Sequence, residues 1–229
     1  MKKSKNMLSA NDKFDNMKAY LLEEAVSLVK DMKYSKFDES VDLAIKLGVD
    51  PRHAEENIRV TTPLPHGTGK TEKVLVLTEG SKEKEAEEAG ADFVGGKDFL
   101  KKIKNGWTDI DKIVATPDMM GELGKLGKIL GPKGLMPNPK SGTVTMDVAK
   151  AVKDLKAGQV ELRVESNGIV HVSCGKISFE TKQLVENIAK IHDTIMKVRP
   201  SSVKGQYLEK IFISSTMGPS VIIDHLAIG

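Results

Sequence analysis

The spacing of apolar residues changes twice along the 229-residue chain, and each change marks a change in the structure predicted. Over residues 13–33, apolar side chains recur every three or four positions, which predicts an amphipathic helix. Residues 37–47 alternate, with the apolar side chains at odd positions, as in a strand that buries one face. A further strand is predicted at 58–62, and residues 63–70 form a loop rich in Pro and Gly. The first part of the chain therefore offers one long helix and strands of the antiparallel type.

From about residue 72 the pattern changes to short, continuous apolar runs separated by charged helical segments. Strands are predicted at 73–77, 92–94 and 112–115, and helices at 82–89, 97–105, from Asp118 onward, and at 147–157. Buried strands that alternate with helices are typical of parallel βαβ units. The middle of the chain is therefore predicted to be a Rossmann-like domain with a sheet between two helical layers.

After Gly158 the alternating pattern returns. Asn167-Gly168 lies between two alternating runs and predicts a tight hairpin turn, because this pair tolerates the positive φ that such turns need. A long amphipathic helix is predicted at 180–197 and ends before Pro200. Strands at 207–215 and 220–226 complete the pattern.

Neither terminal region has the material for a complete core, so we expect the two to pack together around an inserted middle. The fold class predicted is α/β. An α+β split domain with a mainly antiparallel sheet comprises residues 1–66 and 160–229, and a Rossmann-like βαβ three-layer domain comprises 67–159.

Composition excludes several classes of protein. No apolar run approaches the length of a membrane span, and the basic N-terminus is not followed by an apolar signal core. The single cysteine, Cys174, rules out an internal disulfide and fits a reducing compartment, so a cytoplasmic location is expected. The five histidines are scattered without metal-ligand spacing, and neither a metal site nor a catalytic set of side chains is predicted.

The net charge is only +3, so charge alone does not predict a nucleic-acid partner. One segment, 119–142, is uneven, since it carries four lysines and a single acidic residue, Glu122. The four are Lys125, Lys128, Lys133 and Lys140. Together with the glycines and prolines between them, they predict either an irregular basic surface for RNA phosphates or a structural loop. The low aromatic content, 4%, disfavours a single-strand binder that stacks bases on aromatic platforms.

Residues 67–71, Gly-Thr-Gly-Lys-Thr, match the end of a nucleotide-binding phosphate loop, but the first glycine of that motif is replaced by Leu64. A predicted strand follows this segment where the motif needs a helix N-terminus. An inter-domain loop is therefore favoured over a nucleotide site. Two alternatives to an RNA-binding protein remain: an enzyme with a nucleotide-binding middle domain, and then a protein-binding scaffold.

Residues 127–140, Gly-Lys-Ile-Leu-Gly-Pro-Lys-Gly-Leu-Met-Pro-Asn-Pro-Lys, resemble the signature loop of the L-one family of large-subunit ribosomal proteins. Six further segments resemble the family in the same order along the chain: 36–39, 47–51, 64–67, 87–92, 115–118 and 216–220.

This resemblance implies a bacterial ribosomal protein that is not an enzyme and uses no cofactor. It implies two domains, with the second inserted in the first, and a monomer when free of the ribosome. The first domain would bind folded large-subunit rRNA and form the mobile stalk at the tRNA exit site. The protein would also assist release of deacylated exit-site tRNA, and it would repress its own operon by binding its mRNA.

The resemblance also implies the residues that contact RNA. They are Lys36, Phe37, Ser40, Lys176, Ser178, Thr216, Met217 and Gly218. The lysine loop of Lys125, Lys128, Lys133 and Lys140 is the expected tRNA-facing surface. Relatives often carry Arg at position 53, so His53 leaves a contact there in doubt. Before the resemblance is considered, residues 214–220 favour a plain turn between two strands over a place where hydroxyls and bare backbone reach RNA.

Overall fold

The computed structural model describes residues 4–53, 55–78 and 82–228. Within these residues the α-helices are α1 (Lys5–Asn11), α2 (Leu22–Asp31), α3 (Lys82–Glu88), α4 (Lys97–Lys104), α5 (Met120–Leu123), α6 (Gly127–Leu130), α7 (Val148–Lys156) and α8 (Thr181–Lys197). The strands are β1 (Ala19–Tyr20), β2 (Ser40–Leu47), β3 (Arg59–Pro63), β4 (Val74–Leu77), β5 (Phe93–Gly95), β6 (Lys112–Ala115), β7 (Gln159–Arg163), β8 (Ile169–Lys176), β9 (Leu208–Ser215) and β10 (Ser220–Ile223).

The chain forms two compact units. The split unit contains the chain up to Gly69 and from Val160 onward, and the inserted unit is Lys70–Gln159. Each unit has its own buried apolar cores. None of the helices in the described ranges combines the length and hydropathy of a bilayer-spanning segment.

The split unit is built on a five-stranded sheet with the order β1-β10-β9-β2-β8. All neighbouring strands are antiparallel except the edge pair β1 and β10, which is parallel. β2 lies between β9 and β8, and its residues alternate between buried and half-buried, as the sequence predicts. The odd positions from Val41 to Leu47 face the core because apolar side chains of a strand share one face at a period of two.

Helix α8 is held at its N-terminus by a capping box between Glu180 and Gln183, and its apolar face enters the same core as α2. The helix predicted at 13–33 is wrong in its first half. The helix begins only at Leu22, because Ala19 and Tyr20 pair with Ile222 and Ile223 as an edge strand. That pairing partner lies some 200 residues away in the chain, where a local periodicity cannot register it.

The turn at Asn167-Gly168 is present, with Gly168 at φ +72° and the Glu165 N–H donating to the Ile169 carbonyl at 2.9 Å. The strand before it differs from the prediction. β7 ends at Arg163 and pairs with β3 in a separate two-stranded sheet, and only a single bridge, Val164 to Val170, continues the hairpin.

The inserted unit has a parallel three-stranded sheet of order β5-β4-β6. Alternate residues of β4 enter two different cores. Val74 and Val76 pack with α3 and α7, whereas Leu75 and Leu77 pack with α4 and the segment that contains α5 and α6. The unit is therefore a three-layer βαβ structure, and the α/β fold class is confirmed.

Candidate nucleic-acid interface

The eight residues expected to contact RNA lie at one end of the five-stranded sheet. Ser40 begins β2 and is paired with Lys176 at the end of β8, while Val41 is paired with Ser215 at the end of β9. Lys36 and Phe37 lie in the loop that enters β2, and Ser178 follows β8. The Thr216–Gly218 turn connects β9 to β10. The sheet register therefore brings together segments that lie as much as 180 residues apart in the chain.

Thr216 is joined to Ser40 by three hydrogen bonds. The Thr216 N–H donates to the Ser40 carbonyl at 3.1 Å, and the Ser40 N–H donates to Thr216 Oγ1 at 3.0 Å. The Thr216 hydroxyl also donates to the Ser40 carbonyl at 3.3 Å. This hydroxyl therefore holds the turn against β2, instead of standing free for a ligand as the sequence suggests.

Glu39 holds the turn from the buried side of the sheet. It is not among the residues expected to contact RNA. Its side chain is fully buried. Oε2 accepts the Met217 N–H at 3.1 Å, and Oε1 accepts the hydroxyl of Ser35. The Tyr34 hydroxyl donates to the Met217 carbonyl at 2.6 Å. Both backbone polar groups of Met217 are therefore fixed by side chains from the loop before β2.

Burial by itself would raise the pKa of the Glu39 carboxyl. Hydrogen bonds from the side chains of Ser215 and Ser35, and from the Met217 backbone, act the other way and prevail, so that the pKa lies below its ordinary value. Glu39 is consequently ionised at neutral pH. It is a buried carboxylate whose charge is stabilised by hydrogen-bond donors of the turn and the loop.

Gly218 lies close to Ser215. Its N–H donates to Ser215 Oγ at 3.1 Å, and a Cβ added to Gly218 would lie only 2.5 Å from that oxygen. A side chain at this position would displace the Ser215 hydroxyl, which also serves Glu39. Packing inside the turn therefore favours glycine at this position.

Lys176 and Ser178 are tied into the same surface. Lys176 Nζ donates to Ser40 Oγ at 2.8 Å. The Ser178 hydroxyl donates to Asp38 Oδ2 at 2.8 Å, and its backbone N–H donates to Oδ1 of the same carboxylate at 3.2 Å. These bonds connect the end of β8 to the loop before β2. Asp38 is a second residue of this surface that sequence reasoning missed.

The side chains of Lys36, Phe37 and Met217 are among those exposed on this surface. Phe37 is 52% exposed and Met217 is 47% exposed, so this end of the sheet presents two large apolar side chains to solvent. Lys36 is exposed beside Phe37. The surface thus offers two apolar side chains and a few cations on a backbone that is fixed from inside.

The lysine loop lies in the inserted unit and is more regular than the sequence suggests. From Pro117 to Leu130 it forms 3₁₀ turns and the short helices α5 and α6, which contribute Leu123, Leu126 and Leu130 to the core. Lys125, Lys128, Lys133 and Lys140 are all exposed. Lys133 donates to the hydroxyl of Thr108, whereas Lys125 lies beside α4.

Residues 67–71 do not form a phosphate loop. Asn187, fully buried on α8, accepts the His66 N–H at 3.2 Å and donates to the carbonyls of Gly67 at 3.0 Å and Cys174 at 2.8 Å. Strand β4 follows the segment, where a phosphate loop would need a helix. Lys70 Nζ donates to Asp111 at 2.7 Å. Within the described part of the chain, no three His, Cys, Asp or Glu side chains are grouped to hold a metal ion.

Comparison with known proteins agrees with the resemblance seen in the sequence. The model of the family described as the Ribosomal protein L1p/L10e family matches residues 29–219. Among the similar proteins is the large ribosomal subunit protein uL1 of Chlorobaculum tepidum. It is 57% identical over 217 residues, which cover 95% of this chain and 94% of the relative. The chain therefore belongs to the Ribosomal protein L1p/L10e family, and it is not an enzyme.

Proposed function

We propose that this protein is a structural constituent of the large ribosomal subunit and binds folded large-subunit rRNA through the split unit. In this proposal the complex forms the mobile stalk at the tRNA exit site, and the protein assists release of deacylated tRNA. It also represses translation of its own operon by binding its mRNA. The ribosome in the cytoplasm is then its place of action, and the free protein is a monomer.

The observation that carries the rRNA proposal is the fixed end of the five-stranded sheet. The loop before β2 and the Thr216–Gly218 turn are locked to each other by Glu39, Tyr34 and Ser40, while Phe37 and Met217 point outward. Folded RNA is recognised mainly by shape, by backbone contacts and by stacking on a few exposed bases. A rigid, weakly charged surface with two exposed apolar side chains suits that kind of recognition.

The test is a binding measurement with a stalk rRNA fragment and an unrelated hairpin of equal length. We expect the stalk fragment to bind far more tightly than the hairpin. Phe37→Ala should reduce affinity for it by roughly 5- to 150-fold, since one base-aromatic contact contributes about 1–3 kcal/mol. Leu226→Ala is the matched control, because Leu226 is also exposed but follows the opposite end of β10. Equal affinity for the two RNAs would contradict the proposal.

The repressor role rests on the same surface. If the messenger presents a fold similar to that of the stalk rRNA, one protein cannot hold both, and the two RNAs must compete. A leader fragment of the operon messenger should therefore be displaced by stalk rRNA, and Phe37→Ala should weaken both complexes by similar factors. Simultaneous binding of both RNAs would disprove a shared surface.

The tRNA role is assigned to the lysine loop because its four lysines are exposed on the inserted unit. Lys128→Gln combined with Lys140→Gln should reduce affinity for a deacylated tRNA transcript and make it less dependent on salt. The same change should leave stalk rRNA binding within about twofold of the parent. Equal losses for the two RNAs would show that the loop has no separate ligand.

A further inference from the structure

The inserted unit carries a groove between α4 and the segment from Glu122 to Leu126. Its volume is about 480 Å³, and its floor is formed by Leu100 and Leu126, which are almost fully buried. Lys97, Lys101, Lys104 and Lys125 line its walls. Among the described residues that line this α4 groove, the only acidic one is Glu122.

The three groove lysines of α4 share one face of the helix. They lie four and three residues apart, so they follow one another along about 10 Å of the helix axis. The fourth lysine of this helix, Lys102, points elsewhere, since its ammonium lies 4.4 Å from the centre of the Phe99 ring. Lys125 belongs to the lysine loop, so the α4 groove extends the basic surface of that loop onto a second element.

The acidic neighbour of Lys101 in α4 neutralises it only weakly. Asp98 lies 3.8 Å from Lys101, and both side chains are about four-fifths exposed or more. An ion pair so long and so exposed contributes little, because solvent screens it and the long side chains lose freedom on pairing. The ammonium group of Lys101 is therefore available to a stronger anionic ligand, and that of Lys104 is exposed beside it.

We propose that the α4 groove binds the phosphate backbone of a folded RNA. This inference rests on the proposed tRNA role of the inserted unit and extends its surface to Lys101 and Lys104. Among the described residues lining the groove none is aromatic, so it lacks the platforms that would stack unpaired bases. A row of lysines beside an open groove instead matches a string of backbone phosphates, which fix the position of an RNA without reading its sequence.

The test uses the full-length chain with Lys101→Gln and Lys104→Gln combined, and two labelled probes, a deacylated tRNA transcript and a stalk rRNA fragment. We expect tRNA affinity at 0.1 M salt to fall about 25-fold. Each lost phosphate contact lowers the slope of log affinity against log salt concentration by about 0.7. Two contacts are lost, and 0.1 M lies one decade below 1 M, where the salt-dependent part of the affinity vanishes, so the two losses multiply to about 25-fold. Stalk rRNA affinity should stay within about twofold of the parent.

Lys150→Gln combined with Lys153→Gln is the matched control. These lysines are also exposed and three residues apart, but they lie on α7, which packs on the other face of the parallel sheet. The control should bind tRNA like the parent. If both double variants lose affinity equally, or if neither does, the assignment of the α4 groove is wrong.

Further measurements distinguish a failure of the α4 groove proposal from a failure of the tRNA proposal on which it rests. One is the affinity of a mixed-sequence RNA duplex. If the duplex binds as tightly as tRNA and binds the groove variant less tightly, the α4 groove is supported as an RNA site and tRNA is contradicted as its ligand. If the Lys128→Gln and Lys140→Gln variant loses tRNA binding and the groove variant does not, the tRNA role is supported and the α4 groove proposal is contradicted. Poly-glutamate is the third probe. If it competes as strongly as the duplex at equal charge, the ligand is an acidic protein segment and the RNA proposal is contradicted.

Discussion

Glu39→Gln removes the buried charge under the Thr216–Gly218 turn while keeping the shape of the side chain. In the parent, the carboxylate accepts the Met217 N–H at 3.1 Å and the Ser35 hydroxyl. The amide can still accept one of these donors, but both charge-assisted bonds become neutral ones or are lost. Hydrogen bonds to charged groups contribute about 1.5–3 kcal/mol and neutral ones about 1, so we expect the free energy of unfolding to fall by about 1–2 kcal/mol.

Removal of the polar group altogether should cost more. Glu39→Leu leaves the Met217 N–H and the Ser215 hydroxyl without their acceptor, and each such loss costs about 2 kcal/mol, or about 4 kcal/mol in total, whereas the Ser35 hydroxyl can still donate to the Phe37 carbonyl. Both variants should also weaken stalk rRNA binding, because a turn that is held less firmly spends less time in the conformation that binds. The loss of affinity cannot exceed about 5- to 30-fold for Glu39→Gln, which is the factor by which 1–2 kcal/mol shifts the equilibrium between the two conformations of the turn.

The pH dependence of unfolding gives a second readout. Because the pKa of Glu39 is lower in the folded chain, its contribution is present above the ordinary glutamate pKa and is lost as pH falls through the folded value. The parent should therefore lose stability below about pH 5 more steeply than Glu39→Gln does. Urea unfolding followed by circular dichroism from pH 3 to 7 measures both effects.

Ile188→Val is the control, since it removes one buried methyl group from α8 and should cost a similar 0.5–1.5 kcal/mol without touching the turn. It should bind stalk rRNA like the parent. If Glu39→Gln is destabilised to the same extent and yet also binds like the parent, Glu39 serves only stability, and its role in positioning the turn is refuted.

Three further outcomes follow from the geometry. Thr216→Ala should lower stability as well as rRNA affinity, because the Ser40 N–H loses its acceptor, and urea unfolding beside a binding curve checks both. Asn187→Leu should cost about 3 kcal/mol, roughly 1 for each of the three backbone groups that lose a partner, and an unchanged urea midpoint would contradict this. Cys174 is buried and its thiol pKa is raised, first of all by that burial, so a thiol reagent should label it only after denaturation.

Much of the fold follows from local pattern. The alternation before Leu47 and the four-residue apolar runs of the middle segment both gave the right element type, because burial of one or both faces of a strand imposes those patterns. The prediction failed where a distant partner decides the structure. β1 replaces helix because it pairs with β10, and β7 leaves the hairpin to pair with β3.

The candidate interface came from family resemblance, and the structure brings its eight residues together without testing their contact with RNA. The residues that hold them were missed, because a glutamate in a sequence is normally a solvent-facing charge. A signal was present nonetheless. Glu39 precedes β2 at an odd position, with the same parity as Val41 and Leu43, so the strand pattern extended backward already points its side chain inward.

In the proposed function, the two units would bind RNA by different physical means. Around the sheet end, Lys36 and Lys176 are offset by Asp38 and Glu39, so counterion release can supply little of the affinity there. A surface with little net charge gains affinity when it loses little conformational entropy on binding. The internal hydrogen bonds of the turn provide this, because they fix its conformation before RNA binds. The inserted unit instead offers exposed lysines on short turns and on α4, and its binding should be weaker, less specific and steeply dependent on salt. The rRNA complex and the tRNA contact that we propose should therefore differ in their dependence on salt, and a salt titration of both measures that difference.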